Sequence, residues 1–346
     1  MFDAKQFASD KILSSEHLPR VIEWLKGENP FPITMELDIT NVCNHKCPAC
    51  SGGFNNDKTA IGKEEGIRLI REISALGCKA ITFTGGGEPF CNPFLEYFIL
   101  EAHDCGLDIG LITNGHLLNT IDAKSLFKCT WIRISLDAGT PEMHKAIHGT
   151  NDFNLIVNNI LELIKEKDLF IHTDIGIGYL VGNGTDNFND MMDFVNLALN
   201  IKVDYAQFRP FHTQAKKDFS NFKKIDFTPF IEKSNATTKI LYSQHKFDNM
   251  ANGSANRNYN KCYGQQFAGI ITANEDMTVC CHTRGLSQYT LGNVKTESIK
   301  KIWNSSKRKK IVETINIDKC PLLCRCNTIN ECLWNIKKTR KHINFL

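Results

Sequence analysis

The chain has 346 residues, with 41 Lys and Arg against 38 Asp and Glu, a formal net charge of +3. So even a balance gives no general argument for a nucleic-acid partner, and the basic run Lys307-Arg308-Lys309-Lys310 reads as a solvated helix face. With 42% hydrophobic and 23% charged residues, the composition is that of a globular protein, and the length suits one large domain plus a smaller one, or two ordinary ones. No apolar run is long enough to span a bilayer, and the N-terminus lacks the basic-then-apolar layout of a secretory signal. A cytoplasmic protein with no membrane association is therefore expected.

Residues 1–33 read as an N-terminal extension. From Thr34 onward, short apolar runs alternate with amphipathic stretches. The predicted strands are Thr34–Ile39, Ala80–Phe83, Asp108–Thr113, Trp131–Ser135, His172–Leu180 and Val203–Phe208. Between them, Lys63–Leu76 carries Ile67, Ile70 and Ile73 on one helical face, with Gly77 as its stop signal. Asp152–Ile164 repeats Phe153, Ile156, Ile160 and Ile164, and Asn187–Leu199 carries Met191, Met192 and Val195. These stripes read as core. Six β-α repeats imply a parallel sheet, because parallel strands need crossover connections. A partial (β/α)6 barrel and an open doubly wound sheet both fit. Either one places its site at the C-terminal strand ends. Beyond Phe211, residues 213–224 and 248–261 read as linkers or loops. Phe267–Thr272 and Met277–Cys281 then suggest a hairpin, before a cysteine-rich tail. A boundary near residue 230 separates a 34–230 domain from a 231–346 domain.

Fourteen cysteines are many for a chain with no export signal, where thiols stay reduced. Cys43, Cys47 and Cys50 lie together after the first strand, and seven more lie between Cys262 and Cys332. Cys78, Cys91, Cys105 and Cys129 are scattered singly and read as small apolar residues. Two groups suggest two metal sites. The C-x3-C-x2-C loop can grip three corners of a cubic iron–sulfur cluster. A ferredoxin adds a fourth cysteine nearby, but here the next is the distant Cys78, so one iron stays open to a small molecule.

This loop, the β-α repeats and the segment TFTGGGEPF resemble the radical SAM superfamily over about residues 34–210. The resemblance implies a 4Fe-4S cluster on Cys43, Cys47 and Cys50, with S-adenosylmethionine (SAM) chelating the open iron. One electron would split the sulfonium, and the 5′-deoxyadenosyl radical would take hydrogen from an unactivated carbon. Gly86, Gly87 and Glu88 match the motif that receives the methionine ammonium. Ser135 and Asp137 in IRISLDAG match the fourth-strand motif for ribose or carboxylate. Asn114 stands at a position near the cofactor, although a turn role fits it too. Arg209 in QFRPF is a further candidate for the carboxylate. Many members carry an aromatic residue before the third cysteine; here it is Ala49, while His45 can shield the cluster.

The tail is similar to the SPASM and twitch extensions of that superfamily. Its C-x3-C-x-C-x5-C spacing departs from the full SPASM pattern, which points to one auxiliary 4Fe-4S cluster. The preferred ligands are Cys262, Cys280, Cys320 and Cys324, with Cys326 as substitute; zinc is the other metal such thiols can bind. A hairpin glycine of the family is replaced near Glu275. These features imply an oxidoreductase acting on a small polar substrate such as a sugar, amino-cyclitol or nucleotide sugar. A flavodoxin or ferredoxin would be its electron donor. A peptide-modifying enzyme is the alternative, with Cys91 or Cys129 as hydrogen donor by position. A non-catalytic zinc protein is the third reading.

Overall fold

The computed structural model describes residues 9–48, 50, 57–167, 171–182, 184–211, 224–253, 255 and 257–338. Its centre is one sheet built from β1 (Thr34–Asp38), β2 (Ala80–Thr84), β3 (Asp108–Thr113), β4 (Trp131–Ser135), β5 (Asp174–Val181), β6 (Tyr205–Pro210), β7 (Lys239–Tyr242), β8 (Ala268–Ile271), β9 (Asp276–Thr278) and β10 (Thr290–Asn293). The order is β10-β9-β8-β1-β2-β3-β4-β5-β6-β7. From β1 to β7 every neighbour is parallel, in the order of the chain. The α/β core of six strands is as expected.

Both edges extend beyond it. The short β7 joins β6, a strand too brief and too mixed in polarity to stand out from periodicity. β8 pairs in parallel with β1, and β9 and β10 follow antiparallel. The cysteine-rich part thus grows out of the barrel sheet through its own hairpin. Glu275, at that hairpin's turn, takes φ 64°, the left-handed conformation a glycine adopts without strain.

Each strand has an outer face under helices and an inner face toward the lumen. On β5, Tyr179 packs outward against Phe194 of helix Phe188–Ile201 and Phe208 of β6. Ile177 and Val181 share that face and are fully buried. The helix stripes form the other half of this core. Leu69, Ile70 and Ile73 of Lys63–Ala75, and Ile156, Ile160 and Leu163 of Phe153–Glu166, are buried in it. Each such side chain contributes about 1.5–3 kcal/mol by leaving water. Helix ends follow local chemistry. Gly77 accepts φ 89° just past Lys63–Ala75, and Asn187 caps Phe188–Ile201 by accepting from the N–H groups of Asn189 and Asp190.

Three expectations need correction. Residues 248–251 are not loop but the end of helix Gln244–Ala251. Arg308 is not solvated: it is buried over Trp303 and donates to Gln265 and Gln266. Cys91 and Cys105 are half-buried, whereas Cys78 and Cys129 are buried as expected. The expected linker at 213–224 lies outside the described residues, Lys224 excepted. Among the described residues, no helix is long and apolar enough to cross a membrane.

Candidate active site

The first cysteine loop leaves the C-terminal end of β1 and is closed at its base by backbone bonds. Asn41 N–H donates to Thr59 O at 2.8 Å, and Ile61 N–H to Ile39 O at 2.9 Å. The glycine-rich turn after β2 lies against this base: Gly87 N–H donates to Thr40 O at 2.9 Å and Glu88 N–H to Val42 O at 2.8 Å. Gly87 is required here, because a β-carbon would stand 2.1 Å from Val42 O. Gly86 sits in the same turn. Cys43 and Cys50 are exposed and Cys47 half-buried, so the thiols reach the loop surface. A negative charge on Cys91 would oppose ionisation of Cys43, which puts Cys91 beside this loop rather than in a remote core.

Glu88 is the buried hub of the strand ends. Its carboxylate accepts from Thr113 Oγ1 at 2.6 Å, Asn114 N–H at 2.7 Å and Phe90 N–H at 3.3 Å. Burial nonetheless pushes its pKa up to about 7, against the lowering effect of those three bonds. A carboxylate has about four acceptor sites, so roughly one remains for an ammonium. Asn114 forms a turn and also reaches the cysteine loop. Its Oδ1 accepts from His116 N–H at 3.0 Å, forming a turn, while its Nδ2 donates to Asn44 Oδ1 at 2.7 Å in the cysteine loop.

At the end of β4, Ser135 stands on the inner face and Asp137 adopts φ 54°. Asp137 is held there by two bonds to β5: its N–H donates to Gly178 O at 2.9 Å, and its Oδ1 accepts from Leu180 N–H at 2.8 Å. Its other oxygen lies 3.4 Å from His148 Nε2, and His148 Nδ1 lies 3.3 Å from Cys47 Sγ. The fourth-strand motif is thereby wired to the cysteine loop.

Sequence reasoning missed most of this imidazole layer. His45 Nε2 lies 2.8 Å and His144 Nε2 3.0 Å from Asp152, which His116 also contacts. Against the raising effect of burial, the Thr150 hydroxyl first and then these imidazoles hold the Asp152 carboxyl well below its usual range. His144 and His148 stack at 4.5 Å between ring centroids. The signal was present: HKAIH puts two histidines four apart on one face of helix Pro141–His148.

The lumen face of the sheet is polar. Glu36 and Asp38 of β1 both bond Arg284, at 2.7 and 2.6 Å, and Glu36 also meets Arg325. Arg133 of β4 and Arg209 of β6 face inward on either side of Gly178. Asp137 acts electrostatically on both.

The C-terminal thiols gather in a second site. Charge on Cys320 and Cys324 would raise the pKa of Cys262, charge on Cys262 and Cys320 that of Cys280, and charge on Cys320 and Cys280 that of Cys324. Burial is the larger cause in each case, and takes all three to about 11. The four preferred ligands therefore share one neighbourhood, which Cys281 and Cys326 also border. Arg257 fastens the loop that bears two of them, donating to Ile317 O, Cys320 O and Pro321 O at 3.0, 3.2 and 2.7 Å. Two sets of soft thiol donors, one on an open loop and one enclosed, fit two iron–sulfur clusters.

A parallel α/β sheet with thiols at its C-terminal strand edge and a second thiol group behind it defines a redox enzyme of iron–sulfur type. Residues 37–198 match the model of the radical SAM superfamily, and residues 262–328 match that of an iron–sulfur cluster-binding domain, SPASM. The chain belongs to the radical SAM superfamily and carries a SPASM-type domain, so it is an enzyme that uses 4Fe-4S clusters and SAM. The S-adenosylmethionine-dependent nucleotide dehydratase of Flammeovirga pacifica is 23% identical over 237 residues, 65% of this chain and 79% of that protein. The PqqA peptide cyclase of Ruegeria pomeroyi is 32% identical over 124 residues, 35% of this chain and 33% of that protein. Among solved structures, SuiB of Streptococcus suis bound to S-adenosylmethionine superposes with a TM-score of 0.69 at 15% identity, covering 96% of this chain and 82% of that one. That last likeness concerns the fold. The non-catalytic zinc reading is set aside by the family.

Proposed function

We propose that this enzyme removes a hydrogen atom from a carbon of a small polar substrate held in the lumen of the sheet, between the two thiol groups. The observation that carries the reading is the lumen itself. Its inner face bears Thr82, Arg133, Gln207 and Arg209, which suit a compact, strongly hydrogen-bonding molecule better than an apolar one. Cys43, Cys47 and Cys50 would hold the first cluster. Gly86, Gly87, Glu88, Asn114, Ser135, Asp137 and Arg209 would surround SAM. Cys262, Cys280, Cys320 and Cys324 would hold an auxiliary cluster. What cluster and SAM supply together when bound is a 5′-deoxyadenosyl radical, made by one-electron cleavage of a carbon–sulfur bond.

The chain's own part is to bind, orient and shield. Glu88 offers its remaining acceptor site to the ammonium, and Asp137, fixed by β5, keeps its second oxygen on His148. His148, between Asp137 and Cys47, ties ribose-side and cluster-side geometry together. A small reducing protein of the flavodoxin or ferredoxin kind would deliver the electron.

The test uses anaerobically reconstituted enzyme with SAM and dithionite, and reads 5′-deoxyadenosine. Formation should rise on adding nucleotide or sugar substrates and vanish in Cys43→Ala. Stimulation by peptides alone would overturn the small-substrate reading, and full-rate cleavage by Cys43→Ala would overturn the role of the loop.

A further inference from the structure

Two arginines crowd the lumen and a lysine lies within their electrostatic reach, and among the described residues none of the three has a carboxylate within ion-pair distance. A β-carbon on Gly178 would stand 3.7 Å from Arg133 Cδ and 3.7 Å from Arg209 Nη2, so the two side chains flank one bare position of β5. The Nε atoms of both arginines are buried without a hydrogen-bond partner. Lys246, on the helix after β7, is the third cation. Burial first, then Arg209 and Arg133, push its pKa down to about 8. Cys281 and Cys324 also act on this ammonium, so it lies within electrostatic reach of the auxiliary thiols.

The charges nearby do not answer these three. Glu36 and Asp38 are already matched by Arg284 and Arg325. Asp137 offers one negative charge, shared with His148, and the carboxylate of SAM would bring one more. Like charges held this close in a low-dielectric lumen repel strongly unless an anion lies among them.

We infer that Arg133, Arg209 and Lys246 form a receptor for a phosphate group of the substrate. A phosphate fits better than a carboxylate. It carries close to two negative charges and at least three acceptor oxygens, and two guanidinium forks with one ammonium can meet these together. The substrate is then a phosphorylated small molecule, with its anionic end toward Lys246 and its reacting carbon toward the cofactor edge. Arg209, which feels the charge of Asp137, would stand between the two. This refines the small-substrate reading and depends on it for the chemistry, though not for the binding.

Reconstituted enzyme with SAM is titrated anaerobically in a calorimeter with inorganic pyrophosphate, with ATP, and with glutarate as a carboxylate control. Pyrophosphate and ATP should bind saturably and at least tenfold more tightly than glutarate. Arg133→Met and Lys246→Met should each weaken them at least tenfold. Absence of saturable phosphate binding, glutarate binding as tight, or affinities unchanged in both variants would overturn the inference. Lys246→Met, on a surface helix, keeps the test open if Arg133→Met does not fold. 5′-Deoxyadenosine formation by the wild type, read alongside, separates the two claims. Cleavage without phosphate binding sinks the receptor alone, and phosphate binding without cleavage sinks the radical chemistry alone.

Discussion

Glu88 shows how one side chain is given two opposed tasks. Burial raises its carboxyl from the ordinary 4.5 to about 7, while Thr113, Asn114 and Phe90 pull the other way. An acid raised on folding adds stability that is complete below its ordinary value and is lost as the pH climbs through about 7. Pairing with an ammonium needs the ionised form, which prevails only above that same point. SAM affinity is therefore expected to rise between about pH 6 and about pH 8, while the protein without SAM loses stability from about pH 4.5 to about pH 7. Equilibrium dialysis of SAM across that range checks this, and Glu88→Gln should bind weakly and without pH dependence. The same variant should lose about 1–3 kcal/mol in denaturant titration, because its amide would point a donor at donors. The sequence named Glu88 through its motif. Its hydrogen-bond partners were invisible there, since Thr113 and Asn114 come from the end of a different strand.

At the scale of elements, the two thiol sites are built differently and should fail differently. The first hangs on a loop whose base is pressed against the turn at Gly87. Gly87→Ala would drive a β-carbon to 2.1 Å from Val42 O and push the loop base aside. Iron per chain should then fall from about eight to about four, with the auxiliary cluster kept; analysis of iron and sulfide with electron paramagnetic resonance would show it. The second site draws its thiols from three segments, with Arg257 holding one of them in place. Cys324→Ala should remove the auxiliary cluster, whereas Cys326→Ala should keep it. The reverse result would exchange their roles, since Cys326 lies buried beside Gly264 in the same neighbourhood. Spacing brought the candidate cysteines together on paper. It could not choose among neighbours, because six thiols converge where four would serve.

For the whole molecule, the decisive link is between β1 and the C-terminal part. Arg284 grips Glu36 and Asp38 at once, and β8 adds to the sheet beside the same strand. The N-terminal extension closes the arrangement: Val21 packs with Phe267 and Leu333, and Arg20 donates to Phe31 O, Pro32 O and Gly77 O. Arg284→Ala would strand the buried Asp38 carboxylate and leave Glu36 to Arg325 alone, and should cost about 3–5 kcal/mol, read by anaerobic denaturant unfolding. Arg284→Lys should recover only part of that, because a point charge cannot fork between two carboxylates. A loss below about 1 kcal/mol, the worth of a surface pair, would show that the two parts are held by the sheet alone.

What the sequence determined by itself was everything carried by local pattern. Period-two and period-3.6 apolar runs specified six strands and their helices, and short cysteine spacings specified where thiolates could converge on iron. Those signals are local because pleat, helix pitch and loop closure act over a few residues. Only the tertiary structure decided the rest: the imidazole layer around Asp152, the carboxylate hub at Glu88, and the cationic row of Arg133, Arg209 and Lys246. Each assembles side chains from strands and helices far apart in the chain. No periodicity records such meetings, because they depend on which sheet edges and faces the fold turns toward one another.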